Sequence, residues 1–255
     1  MKKVVIIVLA ITICLASIPR QTYAEGGIYN WYIIKRGNDT PGFPKESELI
    51  ESLGGVYMDR SAADSNRRVI YLTFDAGYDN GNVTKVVNIL KAKNVNASFF
   101  ILSNLIRKNP ELIRSMASDG NLVCNHTDNH KDMTTLSNSE FLDNLKRLED
   151  LYFDCTGLEM SKFFRFPEGR YDTEKLRCAS EAGYTTVFWS LAYADWDNAR
   201  QPSDSSAMKI LEDNCHSGAI LLLHPTSATN VRILPLLIDK WLAEGYEFRT
   251  LDQMV

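Results

Sequence analysis

Residues 71–77 read Tyr-Leu-Thr-Phe-Asp-Ala-Gly. An apolar run rich in β-forming residues ends at a lone carboxylate, Asp75, and residues 77–81 are rich in turn formers. In α/β proteins, ligands and catalytic groups lie at the carboxyl ends of parallel strands. The stretch therefore predicts a buried strand that delivers Asp75 to a cleft. A helix cap or a turn aspartate is the alternative.

Segments typical of strands and of helices alternate from residue 69 onwards. The runs at 69–74 and 218–223 are largely apolar, whereas 82–93 places its apolar residues on one side of a helix. Strands with two apolar faces need cover on both sides, which is typical of parallel sheets. The pattern predicts an α/β fold with a helix-covered parallel sheet of roughly six to eight strands, closed or nearly closed into a barrel.

Local patterns give sharper expectations for single elements. Ser137 and Glu140 have the spacing of a capping box and predict a long helix after them. The spacing of apolar residues predicts one helix over 106–118 and a strand over 184–189. In the N-terminal part, only 45–53 has the pattern of a helix.

The first 24 residues have the pattern of a secretory signal peptide. Lys2 and Lys3 precede an apolar run at 4–18, and Thr-Tyr-Ala at 22–24 suggests cleavage before Glu25. The run is shorter than the roughly 20 residues that cross a bilayer, so an uncleaved anchor is the weaker alternative. We expect a secreted protein with no stable membrane insertion after signal cleavage.

The segment 25–68 is expected to be an N-terminal extension packed on the main domain, because it is rich in glycine, proline and polar residues. Residues 31–34, Trp-Tyr-Ile-Ile, are expected to hold it in place. Residues 69–255 show no internal repeat and no low-complexity linker. They are therefore expected to form one catalytic domain.

Charge and cysteine content limit the function classes. Without residues 1–24, the chain has 25 basic and 32 acidic side chains, a net charge of −7. Nucleic acids and anionic membranes are bound by clustered Lys and Arg, so we expect no nucleic-acid partner and a neutral or weakly charged substrate. Four cysteines remain, without the spacing of a zinc knuckle. They allow three disulfide pairings, and buried free thiols are slightly favoured.

Two histidines follow the third predicted strand, at 126 and 130. Their spacing would place His126 and His130 on one face of a helical turn, and imidazole is a common ligand of transition metals. The pattern favours a metal site. In the alternative, one histidine packs in the core and the other is solvated.

The loop after the fourth predicted strand contains Arg165, Pro167 and Gly169. Arg165 is well placed to pair with a carboxylate. Pro167 and Gly169 predict a tight loop whose backbone N–H groups could face an oxyanion. An ordinary turn with a surface arginine is the alternative.

The last two strand ends carry Asp195 with Trp196, and His224. A histidine after an apolar strand is suited to general acid or base catalysis, and a buried Asp195 could orient and polarise it. Taken alone, His224 is more often structural. Together, polar groups at five successive strand ends are difficult to explain as packing.

The order of these groups resembles the five motifs of the NodB-homology polysaccharide deacetylases, carbohydrate esterase family four. The matching segments are Thr-Phe-Asp-x-Gly at 73–77, His-Thr-x-x-His at 126–130, Arg-x-Pro-x-Gly at 165–169, Asp-Trp at 195–196 and Leu-x-His at 222–224. The resemblance covers about residues 67–255. It implies a distorted (β/α) barrel of about seven parallel strands and metal-assisted removal of acetyl groups from N-acetylated sugars.

The resemblance also implies a role for each residue of the motifs. Asp75 would be the general base and Arg165 its partner, while His126 and His130 would hold a divalent metal, with zinc expected. Amide hydrolysis needs an activated nucleophile and a proton donor for the leaving amine, which agrees with these roles.

Further roles follow from the resemblance at the other side of the site. His224 would protonate the leaving amine and Asp195 would tune it. Trp196 would line the sugar groove, and the backbone at Tyr171 would help to stabilise the oxyanion. The loop of Pro167 and Gly169 would belong to the substrate-binding side.

The chain departs from the family pattern at residue 76. The family has a second, metal-ligating aspartate at this position, whereas this chain has Ala76, whose methyl group cannot coordinate a cation. The metal would then depend on two histidines with water, substrate, or an acid such as Asp79 or Asp128. Weaker and more exchangeable metal binding is expected.

Several features resemble the subfamily of spore-cortex peptidoglycan deacetylases, among them Ala76, the run at 74–81, Ala192 and the pair Asn30-Trp31. The substrate implied is N-acetylmuramic acid in peptidoglycan glycan strands, as a step toward muramic δ-lactam in the cell wall or the forespore intermembrane space. The alternatives are deacetylation of N-acetylglucosamine in peptidoglycan or chitin-like oligomers, and a non-catalytic wall-binding module.

Overall fold

A parallel β-sheet organises the part of the chain that the computed structural model describes, residues 27–37 and 39–254. The expected signal peptide at 1–24 lies outside the described residues. The strands are β1 (Ile28–Asn30), β2 (Val69–Ala76), β3 (Ser98–Ile101), β4 (Leu122–Asn125), β5 (Ser161–Phe164), β6 (Arg170–Asp172), β7 (Thr185–Thr186), β8 (Leu191–Ala192), β9 (Ala219–Leu223) and β10 (Glu247–Phe248).

Helices follow most of the strands of the main sheet. They are α1 (Ser47–Ser52), α2 (Arg60–Asp64), α3 (Asn82–Lys93), α4 (Ser103–Lys108), α5 (Pro110–Ser118), α6 (Asn138–Thr156), α7 (Thr173–Glu181), α8 (Asp204–Asp213) and α9 (Ala228–Ala243). Short 3₁₀ turns lie at Met133–Thr135, Pro167–Gly169 and Leu251–Gln253.

The main sheet has the order β7-β5-β4-β3-β2-β9-β8, and β10 pairs beside the start of β2. Every pairing in this sheet is parallel. Its two edge strands, β7 and β8, belong to one segment, 185–192. Residues 186 and 191 are at most about 18 Å apart even in a fully extended chain, so the sheet curls until its edges approach. The expected α/β fold, a distorted barrel of about seven parallel strands, is confirmed.

Strand β2 shows how the sequence positions the site. All side chains from Val69 to Phe74 are completely buried, as its apolar run predicts. Successive side chains alternate between faces, and Ile70, Leu72 and Phe74 pack in the core between sheet and helices. The opposite face carries Tyr71, Thr73 and then Asp75, which therefore lies inside the curve of the sheet.

Two local expectations are wrong for identifiable reasons. The segment 106–118 is not one helix but two, α4 and α5, separated at Asn109. Pro110 has no N–H for a continuous helix and keeps Asn109 out of the helical region. The expected strand over 184–189 is reduced to β7, because Val187 pairs with Val56 of the extension and the chain then crosses to β8. The capping box of Ser137 and Glu140 is confirmed at the start of α6.

The N-terminal extension contains α2 as well as the expected α1. Strand β1 pairs antiparallel with β6, in a small second sheet. Of the residues expected to hold the extension in place, Trp31 is buried, whereas Tyr32 and Ile34 are about half exposed. The extension is therefore held through Trp31 and the strand pairing, together with buried side chains at 49–50, 57–58 and 62.

The described residues contain neither a disulfide nor a candidate membrane-spanning helix. All four cysteines in the described part of the chain are free thiols, of which Cys124 and Cys215 are buried. Among the described residues, no helix combines the length and apolar character needed to cross a bilayer.

Gly218 fixes the extension to the sheet and gives a stability test. Its carbonyl accepts the N–H of Asp59 at 2.8 Å, its φ is +76°, and a Cβ at this position would lie 2.1 Å from the Asp59 carbonyl oxygen. Gly218→Ala should lower the free energy of unfolding by about 3 kcal/mol, from left-handed strain plus overpacking. Chemical denaturation measures this. Gly245→Ala is the control, because Gly245 has φ +82° with no atom near its Cβ position, and should cost only about 1–2 kcal/mol. Equal losses in the two variants would contradict the steric argument.

Candidate active site

A buried ion pair joins the end of β2 to the end of β5. The Arg165 guanidinium donates through one terminal nitrogen to Asp75 Oδ1 at 2.7 Å and through the other to Thr73 Oγ1 at 2.9 Å. Its Nε donates to the Val187 carbonyl at 3.1 Å, and a terminal nitrogen also reaches the Phe188 carbonyl at 3.3 Å. Arg165 has no exposed surface, so its charge is balanced by these partners instead of water.

The ion pair keeps Asp75 ionised. Burial alone would raise the pKa of Asp75. The charge and hydrogen bond of Arg165, together with the nearby His126 and His224, outweigh burial and hold this pKa below its ordinary value. The guanidinium also lies over the Phe100 ring, 4.1 Å from its centroid, which stabilises the cation from its flat side. Asp75 is therefore a carboxylate that is ready to accept a proton.

His126 lies beside Asp75 with a defined tautomer. Its Nδ1 is 2.9 Å from the Arg165 carbonyl, which can only accept, so Nδ1 carries the proton. Its Nε2 lone pair then faces Asp75 Oδ2 at 3.5 Å. Burial lowers the pKa of His126 to about 4, so the ring is neutral at neutral pH. A neutral, oriented imidazole is suited to binding a metal.

His130 reaches the same place by a different route from the one expected. Residues 126–130 form an irregular loop, not a helical turn, with left-handed backbone at Thr127 (φ +80°) and His130 (φ +57°). The Thr127 hydroxyl accepts the His130 N–H at 2.9 Å and stabilises this turn. The ring centroids of His126 and His130 are 4.9 Å apart. The spacing thus brings both imidazoles together without a helix.

The donor set fits a metal held by two imidazoles and does not provide a full set of protein ligands. Across residues 27–37 and 39–254, no group of three or more His, Cys, Asp or Glu side chains has metal-binding geometry. Ala76 is buried with the core. Asp79 caps α3 through the Val83 N–H, and Asp128 faces Arg147 at 3.4 Å. Neither acid therefore replaces the missing ligand in this structure.

A second buried carboxylate orients His224. The Asp195 side chain has no exposed surface, accepts His224 Nδ1 at 2.7 Å through Oδ1, and accepts the His224 backbone N–H at 2.7 Å through Oδ2. Burial lowers the pKa of His224, but the hydrogen bond and charge of Asp195 outweigh burial and raise this pKa above its ordinary value. The Nε2 of His224 is left as a proton donor toward the cleft.

Asn230 completes this network and was not identified from the sequence. Its side-chain amide donates to Asp195 Oδ2 at 2.6 Å and to the His224 carbonyl at 3.0 Å, and its Oδ1 accepts the Tyr193 hydroxyl. Asn230 is almost completely buried in the first turn of α9. A polar residue in the first turn of the helix after the Leu-x-His motif was the available signal.

The two networks face one cleft, made of adjoining cavities of about 570 Å³ and about 230 Å³. Both cavities are lined by Asp75, His130, Trp196 and His224. The larger cavity is also lined by Glu168, Gly169, Trp189 and Leu222, and the smaller one by Gly77, Tyr78, Leu102, His126 and Thr226. The cleft thus brings a carboxylate and three histidines to one surface. Trp196 stands at its edge with 65% of its surface exposed.

The loop after β5 forms part of the cleft wall. Pro167 and Gly169 form a tight 3₁₀ turn there, as their types predict. Tyr171 is completely buried in β6, opposite Tyr29 of β1, and the expected role of its backbone at the oxyanion stays a prediction. The residue of this loop that lines the cleft is Glu168, whose φ of +58° is unusual for a side chain with a Cβ.

Comparison with known proteins gives the family. A model described as polysaccharide deacetylase matches residues 62–187. The peptidoglycan-N-acetylmuramic acid deacetylase PdaA of Bacillus subtilis is 31% identical over 226 residues, which cover 89% of this chain and 85% of that protein. A solved structure of B. subtilis PdaA, described as a family 4 carbohydrate esterase, matches with a TM-score of 0.85 at 30% identity and covers 91% of this chain and 98% of that one. This chain belongs to the polysaccharide deacetylase family, carbohydrate esterase family 4.

Other polysaccharide deacetylases have related sequences. A peptidoglycan-N-acetylglucosamine deacetylase of Bacillus cereus is 28% identical over 193 residues, which cover 74% of this chain and 69% of that protein. Enzymes of the family hydrolyse carbon–nitrogen bonds other than peptide bonds and are generally metal-dependent. The chain is therefore a hydrolase of this class.

In the polysaccharide deacetylase site, the pKa of His224 depends on Asp195, and this dependence can be tested directly. Asp195→Asn removes the charge that raises the pKa of His224, so this pKa should fall toward the value that burial favours. Asn230→Ala keeps the Asp195 charge and loosens only its orientation, so the fall should be smaller. Histidine NMR titration measures the pKa, and His224→Gln identifies the signal among the four histidines. An unchanged His224 pKa in Asp195→Asn would contradict the assigned contact.

Proposed function

We propose that this enzyme removes the N-acetyl group from N-acetylmuramic acid in peptidoglycan glycan strands, by metal-dependent hydrolysis outside the cytoplasmic membrane. The observation that carries the proposal is the placement of two buried carboxylates with opposite tasks at one cleft. Asp75 is held as a base by Arg165, and Asp195 holds His224 as an acid. The similarity to B. subtilis PdaA along most of both chains supports the choice of sugar.

Asp75 is suited to accept the proton of an attacking water. Arg165 binds Oδ1, which leaves Oδ2 directed toward the neutral His126 ring. Because the pKa of Asp75 is low, the carboxylate is ionised at neutral pH and needs no prior loss of a proton. The cost is weak basicity, so the water itself must be made more acidic.

The imidazoles of His126 and His130 are the proposed site at which water is made more acidic. A divalent cation held by His126 and His130, with zinc expected, would polarise the amide carbonyl and lower the pKa of a water molecule. His126 is neutral and has its Nδ1 proton fixed on the Arg165 carbonyl, so its Nε2 is free to bind without competition from a proton.

His224 is suited to protonate the departing nitrogen. An amine leaves a tetrahedral carbon poorly unless a proton reaches the nitrogen as the C–N bond breaks. The raised pKa of His224 keeps its ring protonated to higher pH than an ordinary histidine, and Asp195 fixes the donating nitrogen toward the cleft. The products are the free amino sugar and acetate.

The walls of the larger cavity fit an acetyl group. Trp189 and Leu222 line it on the apolar side, where a methyl group would gain from leaving water. Trp196 presents an exposed ring at the edge, where a sugar ring can pack on it. Deacetylated muramic acid has its amine next to a lactyl carboxyl group, so the product is chemically suited to lactam closure in spore cortex.

Deacetylation of N-acetylglucosamine, in peptidoglycan or chitin-like oligomers, is the second candidate. One observation favours it: among the described residues that line the two cavities there is no Lys or Arg to pair with a lactyl carboxylate. A sugar without that acid would need no such partner.

Acetate release from defined glycans should separate these candidates. Purified strands without peptide and strands with peptide would be incubated with the enzyme and divalent metal, followed by digestion and mass spectrometry. We expect the mass of one acetyl group to be lost from muramic acid residues of peptide-free strands. Asp75→Asn should reduce the rate at least about 10³-fold, because the proton acceptor is lost.

Two other outcomes of this experiment would contradict the first candidate. Acetyl loss confined to glucosamine would replace the first candidate by the second. If wild type and Asp75→Asn bind glycan alike and neither releases acetate, the protein is a wall-binding module.

Metal affinity tests the consequence of Ala76. With two imidazole ligands, zinc should bind with low affinity in a calorimetric titration and be removed by dialysis against chelator. His130→Ala should abolish zinc binding. His130 is exposed, so its replacement should not disturb the core and a loss of binding can be assigned to the missing imidazole. Stoichiometric binding that survives the chelator would show that a further ligand exists.

A further inference from the structure

Trp31 of the N-terminal extension contacts both loops that form one wall of the cleft. These are the turn containing Glu168 and Gly169 and the segment 187–189, which ends in Trp189. We propose that Trp31 is a positioning residue for the deacetylase reaction, which fixes this wall and, through it, the Arg165 guanidinium. The inference rests on the proposed function in taking Asp75 as the base.

The first contact is made by the backbone. Strand β1 runs antiparallel to β6, and one residue beyond β1 the Trp31 N–H donates to the Gly169 carbonyl at 2.8 Å. The strand pairing therefore continues into the turn that lines the cleft. The extension thus holds this turn from the outside.

The second contact is made by the side chain. The indole Nε1 of Trp31 donates to the Trp189 carbonyl at 2.8 Å, across 158 positions of sequence. The ring has only 5% of its surface exposed and packs against Phe188 and Tyr57, with centroid distances of 4.9 and 4.8 Å. The donor is therefore held in place by the packing of its ring.

The three residues meet without spare room. A Cβ at Gly169 would lie 2.7 Å from the Trp189 ring and 3.1 Å from the Trp31 Cβ, and Gly169 has φ +65°. Trp31 therefore packs directly against the turn, and the turn against the Trp189 ring, and both the turn and this ring line the cavity.

The same segment also determines where Arg165 lies. Arg165 donates to the carbonyls of Val187 and Phe188 from inside the sheet, while Trp31 donates to the next carbonyl, that of Trp189, from outside. The carbonyls of three consecutive residues, 187–189, are thus held by hydrogen bonds from two side chains, those of Arg165 and Trp31. Because Arg165 holds Asp75, the indole N–H is connected to the base through the backbone between Phe188 and Trp189 and the hydrogen bonds of Arg165.

A purely structural role is the competing explanation, since Trp31 also fills a core. The chain offers a matched control in Trp241, which is completely buried in α9 and whose Nε1 has no hydrogen-bond partner among the described residues. Trp31→Phe and Trp241→Phe remove the same atoms from two buried sites. Only the first removes a hydrogen bond to the cleft wall.

The test compares these two variants of the full chain with wild type. Both should unfold at somewhat lower denaturant concentration. We expect Trp31→Phe to lower kcat about five- to tenfold, the effect of one buried hydrogen bond, with KM changed less than about twofold. The reason is that the displaced groups surround the reacting bond and not the sugar rim. Trp241→Phe should leave kcat within about twofold of wild type.

Hydrogen exchange gives a measure that does not depend on activity. Peptides covering 166–170 and 187–190 should exchange faster in Trp31→Phe and not in Trp241→Phe. Normal exchange in these peptides, or equal losses of kcat in both variants, would overturn the proposal. A wild-type enzyme with no acetate release would instead count against the proposed function, and the exchange result would still decide the role of Trp31.

Discussion

The buried ion pair of Asp75 and Arg165 is the constraint on which the rest of the site depends. A guanidinium without any exposed surface is tolerable only if every donor finds a partner, and here its partners come from β2 and from the segment 187–189. The pair thereby joins parts of the chain 90 residues apart. It also explains why an acid can remain ionised inside the curve of a sheet, where burial alone would neutralise it.

A second buried carboxylate is used in the opposite way. Asp75 has a cation beside it and is held as a base, whereas Asp195 has an imidazole beside it and makes that ring a better proton carrier. The two acids sit on the two sides of one cleft, with His224 and Asp75 both exposed to the same cavity. Hydrolysis of an amide requires a proton to be taken from water and another to be given to nitrogen, and the proposed function gives the first task to Asp75 and the second to His224.

Much of this could be predicted from the sequence, because strand ends in a parallel sheet meet at one edge. The apolar runs gave the strands, and the polar residue after each run gave the groups that the structure brings together. The sequence did not show Asn230, Trp189 or Glu168 as parts of the site. Their roles depend on contacts between residues far apart in sequence, such as Asn230 with Asp195, and on the left-handed backbone of Glu168. A glutamate does not predict that backbone conformation. The route of His130 was missed for the same reason, since a spacing of four fits a loop as well as a helix.

The substitution at position 76 changes how the work of the site must be divided. With two imidazoles as the protein ligands of a metal, less of the activation of water can come from a tightly held cation. The rest of the transition-state stabilisation would then come from preorganised groups, and small displacements of such groups reduce their effect. Such a site gains more than a typical metal enzyme from rigid support around Arg165 and the cleft wall. The hydrogen bonds that Trp31 makes to the Gly169 and Trp189 carbonyls are support of this kind, and they come from a segment outside the barrel. A loosely held metal, as proposed, would therefore be consistent with an extension that packs against the loops of the cleft.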